Sequence, residues 1–309
     1  MTSFRATPAV LSAGGAAILG ELLWRLGSAP FVQGLHAVDA RAAIAAAGLG
    51  ALATVACAWR WQLVARRLGV TLELPTAISA YYRSQWLNTV LPGGVLGDVH
   101  RGVQHGRSTG DVGLGLRAVA WERLAGQTVQ VAIVASALLL FPSPVRRVLP
   151  IGVGLAAAAA AAALLLHRSG HARWVRRTGT DLRRVLLQRS AWPGVVASSA
   201  VVVAAHATTF GIAATAAGTE ASWNRLVPLA LLNLLAMSIP ISLAGWGPRE
   251  GAAAWSFAAS GHSAAQGVAV GTTYGVLVFV ATLPGLLVVL TGWTRGRGST
   301  PLARAAAHG

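Results

Sequence analysis

Arg83, Asn88, Asp98 and Arg101 surround the Pro92-Gly93-Gly94 break in SQWLNTVLPGGVLGDVHR, residues 84–101 together with the preceding arginine, inside a chain whose other long segments are apolar. A guanidinium grips a phosphate or carboxylate through paired N–H donors. An amide side chain one turn before a helix break, as Asn88 is, can bond a polar headgroup or satisfy the backbone groups that the break frees. Asp98 and Arg101 are three residues apart and share a face of any helix that holds them. They can close a salt bridge at the membrane surface, or Arg101 can stay free to hold a phosphate.

Two further groups have similar chemistry. WERLAGQ sets Glu122 and Arg123 side by side, with Gly126 one turn on. Adjacent residues point about 100° apart on a helix, so both cannot face lipid comfortably. The charges of the first motif are their expected partners, the alternative being that Arg123 snorkels to the surface. GWGPREG, residues 245–251, follows LLNLLAMSIPISLA. Pro248 can open a helix with Arg249 and Glu250 in its first turn. Glu250 suits the positive end of the dipole there; Arg249 does not, and so calls for an anionic partner, either Glu250 or a ligand.

The remaining candidates exclude more than they assert. The eight histidines form no HExxH pair, and the single cysteine, Cys57, permits no intrachain disulfide and no cysteine-based metal site, so no metal is expected. No glycine cluster continues into Gly-Lys-Ser/Thr, which argues against a nucleotide-binding loop, and no cofactor is expected. Glu21 is expected near the wet end of its span.

The elements that must carry these residues are membrane helices. Of 309 residues 54% are hydrophobic and 11% charged, and apolar runs recur from end to end. Spans are expected at about 8–26, 40–63, 119–141, 148–166, 193–217 and 266–293, with Arg60, Arg66 and Arg67 closing the second and the first retained and not cleaved as a signal peptide. The net charge of +16 comes from arginines between the apolar runs, a pattern of orientation and headgroup contact, not of nucleic-acid binding. The loop 167–192 holds seven arginines and one aspartate and is expected to be cytoplasmic, as is the tail 294–309.

Two apolar segments, 74–101 and 226–262, are interrupted by proline and glycine. Counted as full spans they give eight crossings; counted as re-entrant hairpins they give six full spans plus two hairpins, eight membrane segments in a single integral domain. Both counts leave both termini inside. Pro92, Gly97 and Arg101 share the spacing P-x4-G-x3-R with Pro240, Gly245 and Arg249. Paired breaks in corresponding halves are the pattern of an inverted repeat with a site at the midplane. The expected fold is therefore an all-α polytopic membrane protein, with breaks at Pro92, Gly93, Gly94, Gly97, Pro240, Gly245 and Gly247.

Three motifs in order, Asn88 to Arg101, Glu122 to Gly126 and Gly245 to Gly251, with Tyr274-Gly275 and Leu283-Pro284-Gly285 in the last span, resemble the membrane region of lysylphosphatidylglycerol synthases, a flippase-like family. The resemblance covers nearly the whole chain. It implies a place in the bacterial inner membrane and movement of a lipid between leaflets: aminoacylated phosphatidylglycerol in two-domain relatives, polyprenyl or hopanoid types in others. Carried over by position, it marks Asn88, Asp98, Arg101, Glu122, Arg123, Arg249 and Glu250.

The expected function is binding or translocation of an anionic phospholipid or lipid-linked phosphate, without catalysis. The longest polar segment, 167–192, is too short for a transferase domain. Membrane lipids are the expected partners, with a separate lipid-modifying enzyme a further one. The rival expectation is an embedded enzyme with Asp98 or Glu122 as general base; arginines beside both make them poor bases.

Overall fold

The computed structural model describes residues 3–91, 94–140, 192–238 and 242–297. These residues are helical apart from their connections, and four helices are long and apolar enough to cross a membrane: Ala40–Arg67, Val112–Leu140, Trp192–Ala216 and, within the last helix, Ala264–Thr291. In chain order the helices are α1 (Ser3–Leu26), α2 (Ala29–His36), α3 (Ala40–Arg67), α4 (Leu74–Val90), α5 (Leu96–Thr109), α6 (Val112–Leu140), α7 (Trp192–Ala216), α8 (Trp223–Met237), α9 (Pro248–Ala259) and α10 (Ala264–Arg297). The expected span at 148–166, nearly all of the loop 167–192, Pro92, Gly93, Pro240 and the tail from 298 lie outside the described residues.

Local chemistry sets several boundaries. The Asp39 carboxylate caps α3 by accepting from the Ala42 N–H at 2.7 Å. α4 stops at Val90, two residues before Pro92, as a ring that clashes with the preceding turn requires. α9 starts on Pro248, and Glu250 Oε2 accepts the Gly247 N–H at 2.7 Å, tying off one of the orphan donors of that helix start. α2, a short helix between the first two long ones, has no counterpart in the sequence expectation.

Both interrupted segments are pairs of packed helices, α4 on α5 and α8 on α9. With 17, 14, 15 and 12 residues, each arm reaches only about 18–26 Å at 1.5 Å per residue, short of the ~30 Å apolar core of a bilayer. The two breaks approach one another: a Cβ built on Gly94 would lie 2.8 Å from Ser242 Oγ. α3, α7 and α10 pack against one another beside these pairs. Small residues let the backbones close up, as a helix bundle in lipid requires. A Cβ on Gly50 of α3 would meet the Ala281 methyl of α10 at 2.5 Å, and one on Gly34 of α2 would meet the Ala269 carbonyl at 2.6 Å.

The two largest apolar clusters among the described residues join several helices each. One gathers Phe210, Leu229, Phe257, Val270, Tyr274 and Leu277 from α7 to α10. The other packs Ala58, Trp61 and Ala65 of α3 against Ala77 and Tyr81 of α4 and Val119 of α6. α1 touches the start of α9, where Gly247, at φ +113°, sits against the Gly15 backbone; a Cβ there would come within 2.6 Å of the Gly15 carbonyl. Glu21 of α1 is exposed and paired with Arg25.

Candidate functional site

α5 begins at Leu96, so Asp98 and Arg101 fall one turn apart on its buried face. Arg101 Nη2 donates to Asp98 Oδ1 at 3.0 Å and to Glu122 Oε2 at 3.3 Å. Its guanidinium stands over the Tyr81 ring at 3.9 Å and the Trp61 ring at 4.4 Å. Aromatic faces attract a cation most where water is excluded, and Arg101 is 1% exposed. The salt bridge that the spacing offered thus forms, and it forms inside the bundle.

Asp98 is fully engaged. Besides Arg101 it accepts from Ser84 Oγ at 3.0 Å, from Asn88 Nδ2 at 3.0 Å and from Arg123 Nη2. Of the two tasks open to Asn88, the structure shows the backbone one: its Oδ1 accepts the Gly97 N–H at 2.7 Å and so secures the start of α5 to the end of α4. Gly97 is required there, because a Cβ would lie 2.0 Å from the Ser84 carbonyl oxygen of α4 and 2.8 Å from that same Oδ1.

Glu122, wholly buried, bridges Arg101 to Arg60 of α3, whose Nη2 and Nε donate to Oε1 at 2.7 and 2.8 Å. Arg60 also donates to Ser199 Oγ of α7 at 3.0 Å. Arg60, Glu122, Arg101, Asp98 and Arg123 therefore alternate in sign along one connected chain. Gly126, one helical turn after Glu122, makes room for it: a Cβ would lie 2.5 Å from Arg60 Cζ.

The second motif builds a separate pair. Arg249 Nε donates to Glu250 Oε1 at 2.7 Å, and the guanidinium lies 4.7 Å from the Trp246 ring. Gly275 of α10 seats this arginine as Gly126 seats Arg60, a Cβ there meeting Arg249 Cζ at 2.5 Å. Upstream, Leu243 and Trp246 exchange backbone hydrogen bonds of 3.0 and 2.9 Å across Ala244 and Gly245. Both central residues have positive φ, +50° and +83°, the signature of a type I′ turn. A non-glycine residue in that region costs about 1–2 kcal/mol, so Ala244 is held by its surroundings.

These groups surround one cavity of about 820 Å³, walled by α3 to α10 and by both interhelical breaks. Arg60, Arg123 and Arg249 reach its surface with Asn88 and Asp98. Arg101, Glu122 and Glu250 stand behind the wall, buried and paired. Arg83 lies apart, bonded to Gln104 of α5. Among the described residues, the seven buried or cavity-lining charges sum to one positive, four arginines against three carboxylates, a balance that favours an anion. Its carboxylates hold arginines in place; guanidinium edges and the amides of Asn88, Gln85 and Gln130 are the polar groups on its wall.

Sequence reasoning missed Arg60, which it took for the charged end of a span. It lies seven residues inside α3, 6% exposed, and its signal was its position: the span continues to Arg67. Of the breaks, Gly94, Gly245 and Gly247 adopt positive φ, +63°, +83° and +113°.

No curated protein and no solved structure matches the chain. The sequence profile of one family does, over residues 8–285, and this stretch contains every residue of the network above. The chain is a multi-pass membrane protein, and it belongs to the family described as the lysylphosphatidylglycerol synthase TM region.

Proposed function

We propose that the protein binds an anionic lipid headgroup in the central cavity and carries it between leaflets while the acyl chains stay in lipid. The observation that carries this reading is the cavity itself: about 820 Å³ at the meeting point of two interrupted helix pairs, with Arg60, Arg123 and Arg249 on its wall. That volume suits a headgroup or a small lipid-linked phosphate. Charged groups at such depth are costly and mark transport paths.

In this reading α4–α5 and α8–α9 are re-entrant hairpins entering from opposite faces and meeting tip to tip, the arrangement of an inverted repeat. Arms too short to cross and the contact of Gly94 with Ser242 support it. Six full spans and two hairpins place both termini in the cytoplasm of a bacterial inner membrane. The protein acts without catalysis: Asp98 and Glu122 are bound by two arginines each, and a carboxylate so held is a weak base. Its substrate is supplied by a separate lipid-modifying enzyme.

The test is leaflet exchange of labelled phosphatidylglycerol in reconstituted vesicles, wild type against Arg123→Ala and Arg249→Ala. Protein-dependent exchange that falls at least about tenfold in both variants, ~1.4 kcal/mol of lost stabilisation, supports one headgroup path. Exchange equal to protein-free vesicles in the wild type sinks the proposal.

A further inference from the structure

His206 lines the same cavity yet has no part in the ion-pair network. It sits at the middle of α7, and its Nδ1 lies 2.8 Å from Tyr274 Oη of α10. Tyr274 is wholly buried and packed edge-on against Phe210, ring centroids 5.6 Å apart, which fixes its hydroxyl in place. A phenol hydroxyl donates and accepts, so it serves the neutral imidazole by donating to Nδ1 and the protonated one by accepting from it. Few partners suit a group that changes charge so well.

The imidazole also borders a second, smaller cavity of about 40 Å³, whose wall includes Thr54, Gln85, Thr209 and Thr282. A space of that size has room for a water, for which about 10–15 Å³ suffices, although most of its lining is apolar. His206 thus lines both the large cavity and a small, water-sized one.

The charged and titratable groups around the main cavity are few. Among the described residues, α9 presents Arg249, α6 presents Arg123 and α5 presents Asp98, while Tyr274 of α10 is buried behind the wall with its hydroxyl on His206. α3 presents Arg60 and Cys57, α4 presents Tyr81, and α8 presents only Leu234 and Met237. Asp98 is bonded to Arg101 and Arg123, Glu122 to Arg60 and Arg101, and Glu250 to Arg249. None of these carboxylates bonds to His206, so a charged imidazole has no built-in counterion. An anion in the cavity would supply one.

We infer that His206 is a proton-binding site linked to the anion in the main cavity, so that a proton and an anionic headgroup are carried together. The proton comes from water at one face and returns to water at the other; no other bond changes. Linkage is reciprocal: the anion tightens the proton by the factor by which the proton tightens the anion. The inference rests on the reading of the cavity as a headgroup path.

Two measurements separate the claims. In weakly buffered detergent micelles near pH 6.5, adding phosphatidylglycerol to the wild type should take up a fraction of a proton per protein, up to about one. His206→Gln, with its folding checked by thermal unfolding in the same detergent, should take up none. In vesicles, an imposed pH gradient should change wild-type exchange of labelled phosphatidylglycerol at least about fivefold, and the ratio of rates with and without the gradient should fall to unity in His206→Gln. Tyr274→Phe, which keeps the ring packing, should weaken both responses. No uptake by the wild type, or equal uptake by wild type and His206→Gln, overturns the proton site. Uptake without any leaflet exchange would keep the proton site and defeat the transport reading instead.

Discussion

Gly275 lies under the guanidinium of Arg249, with room for a hydrogen and not for a methyl group: a Cβ at residue 275 would sit 2.5 Å from Arg249 Cζ. An alanine there must push the arginine out of its place beside Glu250 and Trp246. Gly275→Ala should cost about 1–3 kcal/mol in stability, the usual range for overpacking, read as a lower thermal midpoint in detergent. Under the transport proposal it should also slow headgroup exchange as Arg249→Ala does. An unchanged midpoint and full exchange would mean that Arg249 has another place to go.

Glu122 is the hinge of the charge chain, bonded to Arg60 and Arg101 at once. Replacing it with glutamine leaves two buried guanidinium groups without that counter-charge. The loss should be about 3–5 kcal/mol, as for removing one partner of a buried pair, measured by denaturant unfolding in micelles. A double variant, Glu122→Gln with Arg60→Gln, should recover part of this, and failure to recover any would show that the two residues are not coupled.

Arg101 and Arg249 answer to the same P-x4-G-x3-R spacing but stand in different places, one behind the cavity wall and one on it. Arg101→Ala should therefore lower stability through lost stacking on Trp61 and Tyr81, by roughly 2 kcal/mol or more for a desolvated cation on aromatic faces. Arg249→Ala should act chiefly on exchange. The comparison is made by recording thermal midpoint and exchange rate on each variant; identical behaviour of the two would erase the distinction.

The approach of Gly94 to Ser242 can be trapped. Cys57 is the only cysteine of the chain, so Gly94→Cys with Ser242→Cys in a Cys57→Ser background should cross-link under oxidation within one chain, seen as a shift on a gel. A cysteine at φ +63° carries strain of about 1–2 kcal/mol, which lowers yield without preventing the bond. Wild-type-like migration after full oxidation would place the two breaks apart.

Much of this was legible from spacing, and the part that was not depends on distant partners. Pro92 and Pro248 mark the end of α4 and the start of α9 because proline acts on its own neighbours. The Asp98–Arg101 pair follows from an interval of three on one helix. Arg60 could not be read this way. In WRW followed by Arg66 and Arg67 it looks like a charge at a membrane surface, and only Glu122, 62 residues on, makes it an interior one. The same holds for Gly126 and Gly275: each belongs to a recognisable motif, but the reason for the glycine is an arginine on another helix. Nor does any interval announce that Arg101 is roofed by Trp61 and Tyr81.

Among the described residues, the ion pairs of the core fall into two groups with no member in common. Arg60, Glu122, Arg101, Asp98 and Arg123 clasp α3, α5 and α6 together, whereas Arg249 and Glu250 are neighbours within α9. Gln130 of α6 reaches across to α8 through neutral bonds, 3.1 Å to the Leu234 carbonyl and 3.2 Å to Ser238 Oγ. If the α8–α9 pair slides against the clasped block, then, no member of either group loses its counter-charge. Along this seam the resistance comes from apolar contact and a few neutral hydrogen bonds, and both change gradually with displacement. Among the described residues, charge thus ties helices together within the first group, and no ion pair crosses from one group to the other.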